Sequence, residues 1–238
     1  MSYPFDPMRP IINLSDTRLQ KIFVKENHKF ATLFEYSRAT GISSEALFAI
    51  LQPYIENSAI IIEPVGGELF LKTSPEKAST DVQIPPTLWD ILRNKVNTEE
   101  AFNLWRLMRE MESGGWVVEA DPIKMPANSD GYRSLIAIKI KTTFFPVLVL
   151  PKSEDLGNPA GPLSRFLVTG NRLIAIICKS TEIEATSTNI RKWLLSRPHR
   201  SDVTLLILPE PRYQPILLSS KDQSLTPITV TKENLENL

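Results

Sequence analysis

The chain has 238 residues, of which 42% are hydrophobic and 23% are charged, a composition that is ordinary for a globular protein and argues against disorder. Lysine plus arginine equals aspartate plus glutamate, 27 each, so the chain lacks the basic surplus that is typical of free-standing DNA-binding proteins. Its single cysteine, Cys178, excludes an internal disulfide, and its two histidines are too few for a histidine-cysteine zinc cluster. With no signal-peptide pattern over residues 1–10 and no apolar stretch of membrane-spanning length, a cytoplasmic protein without membrane contact is expected.

The N-terminal third predicts two helices followed by a hairpin. Glycine ends helices and serine begins them, and paired glycines between short apolar runs are typical of a hairpin turn. The predicted elements are an apolar helix from Leu33 to Gly41, a second helix that begins at Ser43, and strands over 59–64 and 68–72 around Gly66 and Gly67.

This order of elements resembles the winged helix-turn-helix superfamily over residues 15–73, and such modules usually bind nucleic acid. The second helix has the wrong chemistry for DNA, because residues 43–57 contain no lysine or arginine. Residues 1–75 carry seven basic and eight acidic side chains. Six consecutive apolar residues over 46–51 predict a helix that is covered on both faces, and Pro53 is expected to kink or end it. We therefore predict a protein partner that contacts Ala46, Phe48 and Ala49, with scaffold packing on the rest of the chain as the alternative.

The rest of the chain predicts a linker with a short helix over 76–96, a mixed α/β domain over 97–218 and a polar tail over 219–238. The domain has the predicted order helix, three strands, helix, strand, helix, strand, which favours a mixed sheet flanked by helices. The predicted fold class is therefore α+β.

Over residues 97–178 this order resembles the restriction-endonuclease-like fold. That family holds a divalent metal with an acid at the start of the second strand and an acid-x-lysine pair on the third. Here Asp130 matches the first position and Lys152 matches the lysine, but Leu150 stands where the second acid belongs. A lone carboxylate holds catalytic Mg²⁺ poorly, so the resemblance implies a degenerate site. No catalytic residue, metal site or cofactor is predicted.

The most cationic segment lies at the end of the predicted helix over 184–196. Its cations are Arg191, Lys192, Arg197 and Arg200, which form a candidate nucleic-acid contact. The alternative is that cations simply favour the C-terminus of a helix through its dipole.

These observations predict a non-catalytic adaptor or structural subunit of a DNA-associated multiprotein machine, whose winged helix makes protein contacts and whose basic segment is the candidate contact to nucleic acid. Two alternatives stay open. One is a winged-helix transcriptional regulator, and the other is a metal-dependent nuclease that uses Asp130 and Lys152.

Overall fold

The computed structural model describes residues 17–74, 85–120, 135–149, 173–195, 204–219, 228–231 and 235. The chain forms two compact units, Met1–Trp105 and Arg106–Leu238, which we call the first and the second unit. Each unit combines helices with a β-sheet, so the predicted α+β class is confirmed.

The first unit consists of short helices and one hairpin. Its helices are α1 (Thr17–Gln20), which continues as a π-helical turn (Lys21–Lys25), a 3-10 turn (Asn27–Lys29), α2 (Leu33–Thr40), α3 (Ser44–Glu56) and α4 (Leu88–Arg93), and its strands are β1 (Ile60–Val65) and β2 (Glu68–Thr73). The next helix, α5 (Thr98–Ser113), contains the division between the two units.

Local capping explains where α2 and α3 begin and end. The Thr32 hydroxyl accepts a hydrogen bond from the Glu35 amide while the Glu35 carboxylate accepts one from the Thr32 amide, a reciprocal pair that satisfies two otherwise unpaired N–H groups. Gly41 ends α2 in the left-handed region at φ 72°, where glycine is favoured. Ser43 then accepts from the Ala46 amide and starts α3.

Helix α3 is longer than the sequence predicts, because it continues through Pro53 to Glu56. Proline removes one backbone hydrogen bond from a helix interior. Leu51, before Pro53, is fully buried, and Tyr54 and Ile55, after it, pack against the same core. This packing on both sides of the proline outweighs the lost hydrogen bond and keeps the helix intact.

The hairpin of β1 and β2 is covered on both of its faces. Ile60 and Leu71 lie on one face and join the helical core with Leu47. On the other face, Phe70 stacks on Trp89 of α4 with ring centroids 3.9 Å apart and meets the Trp105 ring edge-on at 5.0 Å.

These aromatic contacts place the boundary of the first unit at Trp105 rather than at the predicted residue 75, because α4 and the first half of α5 pack on the hairpin. The segment predicted as a linker over 76–96 is therefore partly structural, with α4 in the core. Its residues 76–84 lie outside the described part of the chain.

The second unit contains a mixed sheet with the strands in chain order. The strands β3, β4 and β5 pair antiparallel, β5, β6 and β7 pair parallel, and β7, β8 and β9 pair antiparallel. Their bounds are β3 (Val117–Ala120), β4 (Ile136–Ile140), β5 (Thr143–Val149), β6 (Leu173–Lys179), β7 (Thr204–Glu210), β8 (Ile216–Ser219) and β9 (Ile228–Thr229), the last within the segment predicted as a polar tail.

One helix covers the parallel part of this sheet. A 3-10 turn (Ser180–Glu182) leads into α6 (Ile183–Leu195), and Ile190, Trp193 and Leu194 of α6 are buried against residues of β6 and β7. Cys178 belongs to the same buried cluster, where it packs as a free thiol. The helix predicted over 162–168 lies outside the described residues.

We predict that Gly66→Ala destabilises the first unit more than Gly67→Ala does. Both glycines have positive φ, at 59° and 87°, so either alanine strains the backbone. Only at Gly66 would the added Cβ meet a side chain, the Phe102 ring at 2.3 Å, whereas nothing lies within 4 Å of a Cβ at Gly67. We expect Gly66→Ala to lower the free energy of unfolding by roughly 1–3 kcal/mol more than Gly67→Ala, measured by urea denaturation.

The same two substitutions in a Phe102→Ala background provide the control. If the contact with the ring is the cause, the difference between the two alanine variants disappears there. A difference that persists would show that the clash with Phe102 is not its origin.

Candidate functional site

Helix α3 exposes an apolar face that points away from the core of the first unit. Leu47 and Leu51 of this helix are fully buried. The side chains on the opposite side follow the i, i+3, i+4, i+7 spacing of a single helix face, and all of them are exposed. We call this set the outer face of α3, and it consists of Ala46, Ala49, Ile50 and Pro53.

The predicted contact residues relate to this face in two ways. Ala46 and Ala49 lie on the outer face. Phe48, 39% exposed, lies on a flank of the helix in line with Gln52, so it borders the outer face rather than belonging to it. Within the first unit only the side of Leu47 and Leu51 faces a core, so the expectation that both faces of α3 are covered stays a prediction.

The charges on α3 are acidic and lie beside the outer face. Glu45 and Glu56 are exposed, and the Gln52 amide donates a hydrogen bond of 3.0 Å to the Glu56 carboxylate. No lysine or arginine occurs from Ser44 to Glu56. A polyanion therefore finds no cation on this helix.

The hairpin is held by its own unit. Phe102 lies against Gly66 at the turn, so closely that a Cβ at Gly66 would meet the ring at 2.3 Å. The Trp89 indole donates a hydrogen bond of 2.8 Å to the Glu63 carboxylate on β1. A wing that reads DNA has to present its strands and turn to the duplex, whereas here aromatic side chains of the same chain contact them.

The predicted nucleic-acid residues are described only in part. Arg191 and Lys192 lie on α6 and are exposed. The next residue, Trp193, is buried in the core. Arg197 and Arg200 lie outside the described residues. Whether the four cations form one patch stays a prediction.

The nuclease residues Asp130 and Lys152 also lie outside the described residues. The described strands β4 and β5 contain no aspartate or glutamate, and Lys139 on β4 forms an ion pair of 2.9 Å with Glu119 on β3. Glu110 on α5 accepts a hydrogen bond of 3.0 Å from the Tyr213 hydroxyl. Within the described ranges, no group of three histidine, cysteine or acidic side chains is placed to hold a metal ion.

A cavity of about 450 Å³ lies where β6 and β7 end. The two strands pair in parallel up to Lys179 and Glu210, and the cavity is lined by the last two residues of β7 and by residues that follow the two strands. Crevices at the carboxyl ends of parallel strands are where open α/β sheets bind ligands. Sequence reasoning missed this site, since the only signal was a charged, proline-containing stretch after a buried strand.

The turn that forms one wall of the cavity, residues 211–214, is anchored by Tyr213. Its side chain is buried, and its backbone has a positive φ of 50°, which is strained for a bulky residue. The Tyr213 amide donates to the Pro209 carbonyl at 2.8 Å, and the Trp116 indole donates to the Tyr213 carbonyl at 3.2 Å. These bonds, with that to Glu110, offset the strain and hold the wall in place.

Comparison of the chain with protein families, with curated proteins and with solved structures finds no match. Among the helices described, none has both the length and the apolar character needed to cross a membrane.

We predict that Tyr213→Phe makes the second unit less sensitive to alkaline pH. Burial, together with the hydrogen bond to Glu110, raises the pKa of Tyr213 well above its ordinary value of 10.0. Above about pH 10 the unfolded chain loses the phenol proton while the folded chain keeps it, so stability falls as the pH rises. Phenylalanine has no phenol proton to lose, so it removes this contribution to the pH dependence of stability. We therefore expect a shallower decline of the free energy of unfolding between about pH 9 and pH 11, measured by urea denaturation.

The Tyr36→Phe variant is the matched control, because burial raises the pKa of Tyr36 in the first unit as well. It should flatten the alkaline decline of the first unit and leave that of the second unchanged. An unchanged decline in Tyr213→Phe would contradict the assigned pKa shift.

Proposed function

We propose that this chain is a non-catalytic adaptor or structural subunit that binds another protein through the outer face of α3. The observation that carries the proposal is the exposure of Ala46, Ala49, Ile50 and Pro53 on one side of a helix whose other side is buried. Contiguous exposed apolar surface of this kind is typical of protein–protein contact sites. Alanines at adjacent turns also let a partner helix approach closely.

The partner that fits this face is a protein rather than a nucleic acid. Base readout and phosphate anchoring require arginine, lysine, asparagine or glutamine at the contact. The outer face supplies only apolar side chains, and the nearest charges are the carboxylates of Glu45 and Glu56. An apolar surface flanked by basic residues would complement both features.

The proposed setting is a DNA-associated machine. Two helices joined at Gly41 and followed by a hairpin are the elements of a winged helix, and this order supports the resemblance on which the proposal rests. Leu150, which stands where the nuclease family has its second acid, supports a non-catalytic role for the second unit. The exposed Arg191 and Lys192 are the candidate contacts to nucleic acid.

We expect Ala49→Glu and Ile50→Glu each to abolish association with the protein partner, because a carboxylate would be buried without a counter-charge at the centre of the contact. The loss should be roughly 2 kcal/mol or more for each variant. Phe48→Glu, on the flank, should weaken association less. The measurement is purification of the tagged full chain from source cells at low salt after nuclease treatment, followed by quantitative mass spectrometry of what co-purifies.

Phe34→Glu is the matched control, because Phe34 on α2 is 62% exposed and receives the same charge on another helix. A stoichiometric protein that is kept by Phe34→Glu and lost with the α3 variants supports the proposal. If every α3 variant folds and keeps its associations, the outer face is not the contact. Recovery of nucleic acid alone would favour the transcriptional regulator.

We expect no Mg²⁺-dependent cleavage of plasmid or linear DNA by the purified chain, because Leu150 stands where the nuclease family has its second acid. The assay is gel electrophoresis with added Mg²⁺ or with chelator. Cleavage that is lost in both Asp130→Ala and Lys152→Ala would instead establish the nuclease alternative.

A further inference from the structure

The cavity of about 450 Å³ in the second unit has the size of a small-molecule site. Its described lining residues all belong to the second unit, whereas α3 belongs to the first. Its described walls come from three places: the start of the helical segment after β6, which contributes Ile183; the end of β7 with the turn after it; and the start of β8, which contributes Ile216.

The walls combine an apolar surface with one acid and one base. The apolar part is formed by Ile183, Pro209, Pro211 and Ile216. Glu210 and Arg212 line the same cavity and are two residues apart in the chain. Among the described residues, neither of these two charged side chains has an ion-pair or hydrogen-bond partner, so both are available to a ligand.

The Glu210 side chain is partly buried, so water screens its charge less than it would screen a fully exposed carboxylate. Its carboxylate contributes to the raised pKa of two buried neighbours, Tyr213 and Cys178, after the larger effect of burial in each case. Glu210 is the smallest cause in both cases, and it is the partial burial of its side chain that makes it attract a cationic group more than a fully exposed carboxylate does.

We propose that this cavity binds a small zwitterion with an apolar side chain, such as a free aliphatic or aromatic amino acid. Glu210 receives the ammonium group, Arg212 receives the carboxylate, and Ile183 and Ile216 contact the side chain. A ligand with a single charge would leave one of the two protein charges without a partner, so the pair selects for both charges in one molecule.

The anchored turn supports a preformed site. The bonds of Tyr213 to Pro209, Trp116 and Glu110 hold the wall that carries Arg212, so little order has to be gained when a ligand binds. The proposal does not depend on the function proposed for α3, and either can fail without the other.

The test is isothermal titration calorimetry of the full chain with L-leucine, L-isoleucine, L-methionine and L-phenylalanine at millimolar concentration. At least one of them should bind. For leucine, two analogues isolate the charges: 4-methylpentanoate lacks the ammonium group and 3-methylbutylamine lacks the carboxylate. We expect each to bind about tenfold or more weakly than the amino acid, because a hydrogen bond to a charged group contributes to that extent.

Two variants assign the charges to residues. Glu210→Gln should weaken leucine binding but leave 4-methylpentanoate unchanged, and Arg212→Gln should weaken leucine but leave 3-methylbutylamine unchanged. Lys141→Gln, which removes an exposed charge on the turn between β4 and β5 outside the cavity, is the matched control and should leave leucine binding unchanged. Far-UV circular dichroism verifies folding, and the analogue series on the wild-type chain stands even if a variant does not fold.

The proposal is overturned if none of the four amino acids binds, or if a single-charge analogue binds as well as leucine. It is also overturned if folded Glu210→Gln and Arg212→Gln bind leucine like the wild type.

Discussion

The first unit depends on the position of Phe70 between the two halves of its core. Strand β2 alternates its side chains, so Leu71 joins the helical core with Leu47 while Phe70 points to the other face and stacks on Trp89 at 3.9 Å. Aromatic pairs of this kind add to the free energy that burial alone contributes. The hairpin is therefore anchored on both faces through Phe70 and Leu71, while residues near its turn, such as Leu69, stay exposed. Helix α4 and the start of α5 pack on the far side of the hairpin, not on α3. The outer face of α3 is therefore not covered by these two helices.

Much of this fold could be predicted from local signals. Gly41 and Ser43 mark helix ends by their own conformational chemistry, and the paired glycines mark the hairpin turn, so those elements follow from short stretches of sequence. The extent of the first unit could not be predicted this way. From sequence, Trp89 and Trp105 can be predicted to be buried, as large aromatic residues usually are. Hydrophobic periodicity does not predict which element they pack against, so their contacts with Phe70 could not be foreseen. The length of α3 is a similar case, since tertiary packing around Pro53 overrides its local preference.

The candidate sites differ in how far sequence reasoning reaches them. The apolar run over 46–51 identifies α3 as unusual, but which of its residues point outward follows only once Leu47 and Leu51 are placed in the core. This is why the sequence alone indicates Ala46, Phe48 and Ala49 but does not separate them from Ile50 and Pro53. The cavity is beyond local inference altogether. It exists because β6 and β7 end side by side in a parallel register. Ile183 and Arg212 therefore line the same cavity, although the sequence of neither segment indicates that the other is its neighbour.

The parallel pairing of β5, β6 and β7 also has a consequence for the order in which the chain acquires structure. Parallel neighbours must be brought together from distant parts of the chain, and such non-local contacts form slowly, whereas α2, α3, β1 and β2 pair with near neighbours in sequence. During synthesis the N-terminal unit also emerges first. We therefore expect α3 to fold before β7 has been translated. A partner that binds α3, as proposed above, would then find its helix on the nascent polypeptide.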